Sequence, residues 1–163
     1  MAKSESKKKR SWLLPVAAAV VLLAALFVLL RPSGTEDAVS ERQSLTIPKA
    51  EITEVASFYP VTIDGTEMEV LAIRTDTGEI RTAMNTCQSC YDSGRGYYEA
   101  DGTELVCQNC GFRFTADEVG LEGSGGCNPW PITEAQRTDT EDSVQIPYET
   151  LLAAKSAFSN WKG

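Results

Sequence analysis

The residues best suited to chemistry in this 163-residue chain are its five cysteines, all of which fall between positions 87 and 127. Cys87 and Cys90 form one C-x2-C pair and Cys107 and Cys110 a second, sixteen residues on. After sixteen more residues comes the single Cys127. A two-residue gap lets both sulfurs of a tight turn face one ion, and two such turns complete a tetrahedron at about 2.3 Å per zinc–sulfur bond. The spacing therefore predicts one metal centre on Cys87, Cys90, Cys107 and Cys110. Gly111 suits the positive φ that such a turn needs, and Tyr97, Tyr98, Phe112 and Phe114 are candidates to wall the site from water. Cys127, in Gly125-Gly126-Cys127-Asn128-Pro129, is a candidate fifth ligand, redox partner or small buried residue. Loop entropy favours the two paired turns as the ligand set, because recruiting Cys127 means ordering a further segment.

Other cysteine chemistries fit less well. An odd number of thiols leaves one unpaired in any disulfide scheme, and a bridge within C-x2-C would staple very little chain. A thioredoxin-like dithiol calls for a βαβ context, whereas each pair here lies between strand-like runs. There is no histidine, which removes imidazole acid–base catalysis, Ser-His and Cys-His nucleophile pairs and histidine metal ligands. Cys90 is followed by Tyr91 and Cys110 by Gly111, so neither pair is a c-type haem attachment site. The expected protein is not an enzyme.

The elements that must hold these cysteines are mostly strands. Phe58 to Ile63, the turn Asp64-Gly65 and Met68 to Arg74 pattern as a hairpin, and Asp76-Thr77-Gly78-Glu79 turns the chain into a further strand from Ile80 to Met84. Cysteine, glycine and aromatic residues dominate 85–131. After Pro147, the apolar residues Leu151, Leu152, Ala154 and Phe158 recur at helical spacing. The fold class is thus a small α+β domain of antiparallel strands with a zinc-ribbon-like cysteine knuckle and a C-terminal helix.

Upstream, 12–30 is an uninterrupted run of nineteen uncharged, mainly apolar residues, long enough as a helix to span roughly 30 Å of hydrocarbon. Lys7, Lys8, Lys9 and Arg10 precede it and only Arg31 directly follows, which places the N-terminus in the cytoplasm and the rest outside. The run is longer than a signal-peptide core and ends without a small-residue cleavage pattern. The expected organisation is a basic tail (1–11), a transmembrane helix (12–30), a Ser/Thr/Asp/Glu-rich stalk (31–48) and a cysteine-rich metal-binding domain (49–163). Positions 32–163 carry nine Lys/Arg against twenty-two Asp/Glu, a balance that repels nucleic acid and anionic membrane surfaces.

Several motifs together resemble the FtrD-like membrane iron–sulfur proteins of bacterial iron-uptake systems. They are Phe58-Tyr59-Pro60-Val61, Arg81-Thr82-Ala83-Met84-Asn85, Cys87-x-x-Cys90-Tyr91-Asp92-Ser93-Gly94, Gly96-Tyr97-Tyr98, Cys107-x-Asn109-Cys110-Gly111 and Gly126-Cys127-Asn128-Pro129. The resemblance implies an iron–sulfur cluster and a role in electron transfer or metal handling beside a membrane iron-transport or redox complex. Four thiolates equally serve Zn²⁺ or a single Fe. Lys9-Arg10 is not a twin-arginine pair, so the domain is expected to cross the membrane unfolded and bind its metal afterwards, a route that suits an ion better than a preassembled cluster. A structural zinc-knuckle interaction domain without redox activity is the competing function. A reporter fused after Arg31 should report an extracytoplasmic position; cytoplasmic activity of that fusion would overturn the orientation.

Overall fold

The computed structural model describes residues 43–121 and 126–163, which belong to the compact unit Arg42–Gly163. The predicted membrane-spanning run 12–30, the basic tail and most of the stalk lie outside the described residues. Among the described residues no helix is long and apolar enough to cross a membrane.

The domain is built on a four-stranded antiparallel sheet in the order β2-β3-β4-β8, comprising Ser57–Ile63, Thr66–Arg74, Ile80–Cys87 and Pro129–Ile132. Its hairpins use the turns expected at Asp64-Gly65 and 76–79. Prolines fall only in its edge strands, Pro60 in β2 and Pro129 and Pro131 in β8, where a missing N–H costs no ladder bond. Strand β3 is buried on both faces, so its period-two alternation feeds two cores. Met68, Val70 and Ala72 face one apolar cluster while Leu71 and Ile73 face the other.

The first cluster is closed by a three-stranded sheet, β1-β10-β9 (Leu45–Pro48, Ser143–Ile146 and Thr138–Asp139), through Ile47, Val144 and Ile146. Strand β1 begins at Leu45 and so lies within the 31–48 segment assigned to the stalk. The expected C-terminal helix is present but short. Helix α1 spans Tyr148–Ala154 and tightens into a 3-10 turn at Lys155–Phe158. Leu151, Ala154, Ala157 and Phe158 pack into the first cluster, whereas Leu152, counted among the apolar repeat, is 39% exposed.

On the opposite face a second three-stranded sheet, β5-β6-β7 (Tyr98–Asp101, Glu104–Cys107 and Arg113–Phe114), closes the second cluster with Tyr98, Leu105, Cys107 and Phe114. This sheet occupies part of the region dominated by cysteine, glycine and aromatic residues, in which the sequence pattern marks no individual strands. Its strands are too short to carry a readable alternation.

The chain end ties the two halves together. Trp161 packs edge-on against Phe158 with ring centroids 5.4 Å apart, and its indole Nε1 donates to the Asn85 carbonyl at 2.8 Å. Trp161→Phe keeps an aromatic ring and removes the donor, and should cost about 1 kcal/mol. Urea unfolding of the metal-free domain checks this, with a lower midpoint and an unchanged slope as the expected result.

Candidate metal centre

Each cysteine pair sits at the end of a strand. Cys87 is the last residue of β4 and Cys107 the last of β6. The second turn is closed by the Gly111 N–H donating to the Cys107 carbonyl (2.8 Å) and the Cys107 N–H donating to the Phe112 carbonyl (2.9 Å). Gly111 adopts φ 75°, the left-handed conformation expected from its position after the pair. In the first turn the Cys87 N–H donates to the Gly96 carbonyl at 2.7 Å. A Cβ on Gly96 would stand 2.3 Å from the Cys90 carbonyl oxygen, so a glycine is needed where that chain segment folds back over the turn.

Asn85 brings the two turns together. Its side chain accepts from the Tyr98 N–H (2.7 Å) and donates to the Tyr98 carbonyl (3.2 Å), clasping β5 as a neighbouring strand would. Tyr98 is in register with Cys107, and Cys87 follows Asn85 by two positions. The clasp therefore carries Cys107 to Cys87. Asn85 is completely buried, with its amide also bonded to Glu69 at 2.6 Å. Its presence in a sequence motif was visible, but its role depends on a strand that the sequence pattern did not reveal.

Strand pairing also delivers Cys127. In the β4–β8 ladder Cys87 is opposite Pro129, so the chain just before Pro129 must pass the first cysteine turn. Three hydrogen bonds anchor it there: Gln88 N–H to the Asn128 carbonyl (3.0 Å), Ser89 Oγ to the Gly126 carbonyl (2.5 Å) and Gln88 Nε2 to the Pro129 carbonyl (3.2 Å). The Tyr98 hydroxyl donates to the Cys127 carbonyl. The ordering entropy set against Cys127 in the sequence is thus met by the fold itself.

Cys127 Sγ lies 3.3 Å from Cys87 Sγ, 3.5 Å from Cys90 Sγ and 3.6 Å from Cys107 Sγ. The sulfurs of Cys87, Cys90, Cys107 and Cys127 all fall within 4.8 Å of one another. Cys110 Sγ is 2.7 Å from Cys127 Sγ, on the exposed side of the group. The structure therefore brings all five candidate cysteines together, with Cys127 among them and Cys110 at the rim. All five are free thiols.

The expected aromatic wall is built from two of its four candidates. Tyr98 and Phe114 are buried and meet edge to face, with centroids 5.7 Å apart. Phe112 stacks on Phe114 but is 63% exposed, and Tyr97 lies under the Lys162 ammonium.

Burial opposes ionisation of every thiol in the group. It pushes Cys107 up to about 11, against the pull of the Cys110 and Asn109 backbone N–H groups. Burial also raises Cys127, which is further held protonated by hydrogen bonding to Cys110, Cys87, Cys90 and Cys107. At Cys87 burial is outweighed by the Tyr98 hydroxyl, the Ser89 and Cys90 N–H groups and Cys127, so its thiol lies below the ordinary value. Cys110 also lies below it: slight burial is overcome by Cys127 and the Phe112 N–H.

The chain matches the family described as membrane iron-sulfur containing protein FtrD-like over residues 52–158. No curated protein and no solved structure matches it. The match covers most of the chain, which accordingly belongs to the FtrD-like family. The donor set fits the group that the family name implies, since thiolates suit iron–sulfur centres and this site consists of thiols alone. Four bonds of about 2.3 Å put tetrahedral sulfurs about 3.8 Å apart, close to the separations of Cys127 from Cys87, Cys90 and Cys107. A cluster places bridging sulfides between its irons and would require the thiolates to spread.

With Cys107 and Cys127 raised, both carry protons at neutral pH and must lose them to solvent when a cation binds. Affinity for Zn²⁺ or Co²⁺ should therefore rise with pH, by about tenfold to a hundredfold per unit between roughly pH 6 and 8. Competition against a chelator across that range measures it, and a flat profile would mean the thiols are already ionised.

Proposed function

We propose that this FtrD-like domain is a membrane-tethered, extracytoplasmic iron centre that carries electrons or hands on metal for an iron-uptake system, without catalysing a reaction itself. The observation that supports this reading most is the convergence of five free thiols on one point, with Cys127 Sγ 3.3–3.6 Å from those of Cys87, Cys90 and Cys107. Cys87, Cys90 and Cys107 would hold the group together with Cys127 or Cys110. Iron bound there would supply one-electron redox chemistry. The protein's own part is to exclude water on the inner side with Tyr98 and Phe114 and to leave the Cys110 side open. An open edge shortens the path to a redox partner, whereas a buried centre would be insulated from it.

A single structural Zn²⁺ is the second reading, favoured by the tight sulfur spacing. Zn²⁺ has no accessible redox change, so one experiment separates the two. Full-length protein purified anaerobically should contain iron, show sulfur-to-iron absorption in the visible, and bleach reversibly on reduction. Stoichiometric zinc with no redox response would establish the structural reading instead. In either case Cys107→Ser should lose the metal and much of the cooperative thermal transition, because Cys107 is buried and its sulfur belongs to the close-packed set. Full metal content in that variant would remove Cys107 from the ligand set.

A further inference from the structure

Five thiols surround a site where one tetrahedral ion needs four, and the fifth is distinct in position. Cys87 and Cys107 are buried, Cys90 and Cys127 are half-buried, and Cys110 is exposed. Cys110 is also the thiol outside the set whose sulfurs all lie within 4.8 Å of one another. Its sulfur stands 2.7 Å from that of Cys127. That separation is too long for a disulfide of about 2.05 Å and too short for two sulfurs of one tetrahedral shell, about 3.8 Å apart at 2.3 Å per bond. Cys110 and Cys127 thus compete for a single coordination position. Their backbones are held differently. The Cys127 segment is fixed by the Tyr98 hydroxyl, Ser89 Oγ and the Gln88 N–H, while Cys110 sits on a turn between the exposed Gly111 and solvent.

We propose that Cys110 is an exchange ligand: it captures an incoming soft metal ion at the surface, passes it to Cys127, and reverses the step on release. This rests on the reading of the cluster as a metal centre. In capture, Cys110 Sγ forms one metal–sulfur bond as the ion loses a water and the thiol loses its proton to solvent. Cys87, Cys90 and Cys107 then displace the ion's remaining waters, each thiol releasing its proton to solvent. In transfer, Cys127 Sγ forms a bond and releases its proton, the Cys110 bond breaks, and Cys110 takes up a proton. No electron moves. Because Cys110 and Cys127 adjoin the same corner of the thiol group, the exchange needs little movement.

Full-length protein in detergent, stripped of metal and loaded with Co²⁺ alone, tests this through its thiolate-to-cobalt absorption and the rate of Co²⁺ loss to a chelator. Cys110→Ser and Cys110→Ala should keep a stoichiometric four-thiolate cobalt signal and release it about tenfold more slowly, on the scale of losing a partner just outside the ligand shell. Cys127→Ser should keep a four-thiolate signal through Cys110 and release cobalt faster than wild type, and loss of that signal would show that Cys110 cannot take the shared position. Loss of cobalt from both Cys110 variants, to the extent seen with Cys107→Ser, would make Cys110 a permanent ligand and overturn the proposal. Release at the wild-type rate would overturn it as well, as would a Cys110–Cys127 disulfide in freshly purified protein. Wild-type protein that binds no cobalt would instead defeat the metal-centre reading on which the proposal depends.

Discussion

Thiols packed this closely cannot all ionise without a cation, and the architecture of the domain is organised around that restriction. Cys127 stands within 3.6 Å of Cys87, Cys90 and Cys107 and closer still to Cys110. Each negative charge placed there raises the cost of the next. In the metal-free protein the conflict is relieved by protons: Cys127 and Cys107 keep theirs, and Cys87 is the inner thiol stabilised for ionisation by the Tyr98 hydroxyl and nearby backbone N–H groups. A bound cation would replace those protons and remove the repulsion. Metal binding and folding would then be linked, because the thiols come from β4, β6 and the segment before β8, which meet only in the folded domain.

The central sheet makes that meeting possible. Strand β3 faces apolar clusters on both sides, so the small sheet carrying the second cysteine turn packs against one face while α1 and β1-β10-β9 cover the other. The second cluster is a modest core and contains two of the cysteines, Cys87 and Cys107. Its polar connections are correspondingly few and specific. Asn85 substitutes for a strand ladder toward β5, and Trp161 bonds the Asn85 carbonyl from the opposite side. The C-terminal segment therefore buttresses the cysteine cluster from a distance, through the residue that aligns it.

The electrostatics of the domain agree with a cation site. Positions 43–163 carry eight Lys/Arg and nineteen Asp/Glu, a field that attracts metal ions and cationic surfaces and repels nucleic acid. The family to which the chain belongs is described as membrane iron-sulfur containing. The asymmetry of the site, walled by Tyr98 and Phe114 within and open at Cys110, suits exchange of electrons or metal with a partner outside.

What the sequence determined by itself was local. Two C-x2-C turns at strand ends, Gly111 in the left-handed region, the Asp64-Gly65 and 76–79 turns and the apolar positions 151, 154 and 158 all follow from spacing and conformational preference over a few residues. The tertiary structure decided what depends on distant pairing. The Cys87–Pro129 register carries Cys127 into the cluster from forty residues away, and the Asn85 clasp on Tyr98 brings Cys107 to Cys87. No periodicity records either event, because one arises from an edge strand of four residues and the other from a single side chain. The difference between Cys110 and Cys127 belongs to the same class. Cys110 and Cys127 are thiols at the two ends of one sixteen-residue interval, and only the packing of the chain around them leaves one at the surface and holds the other inside.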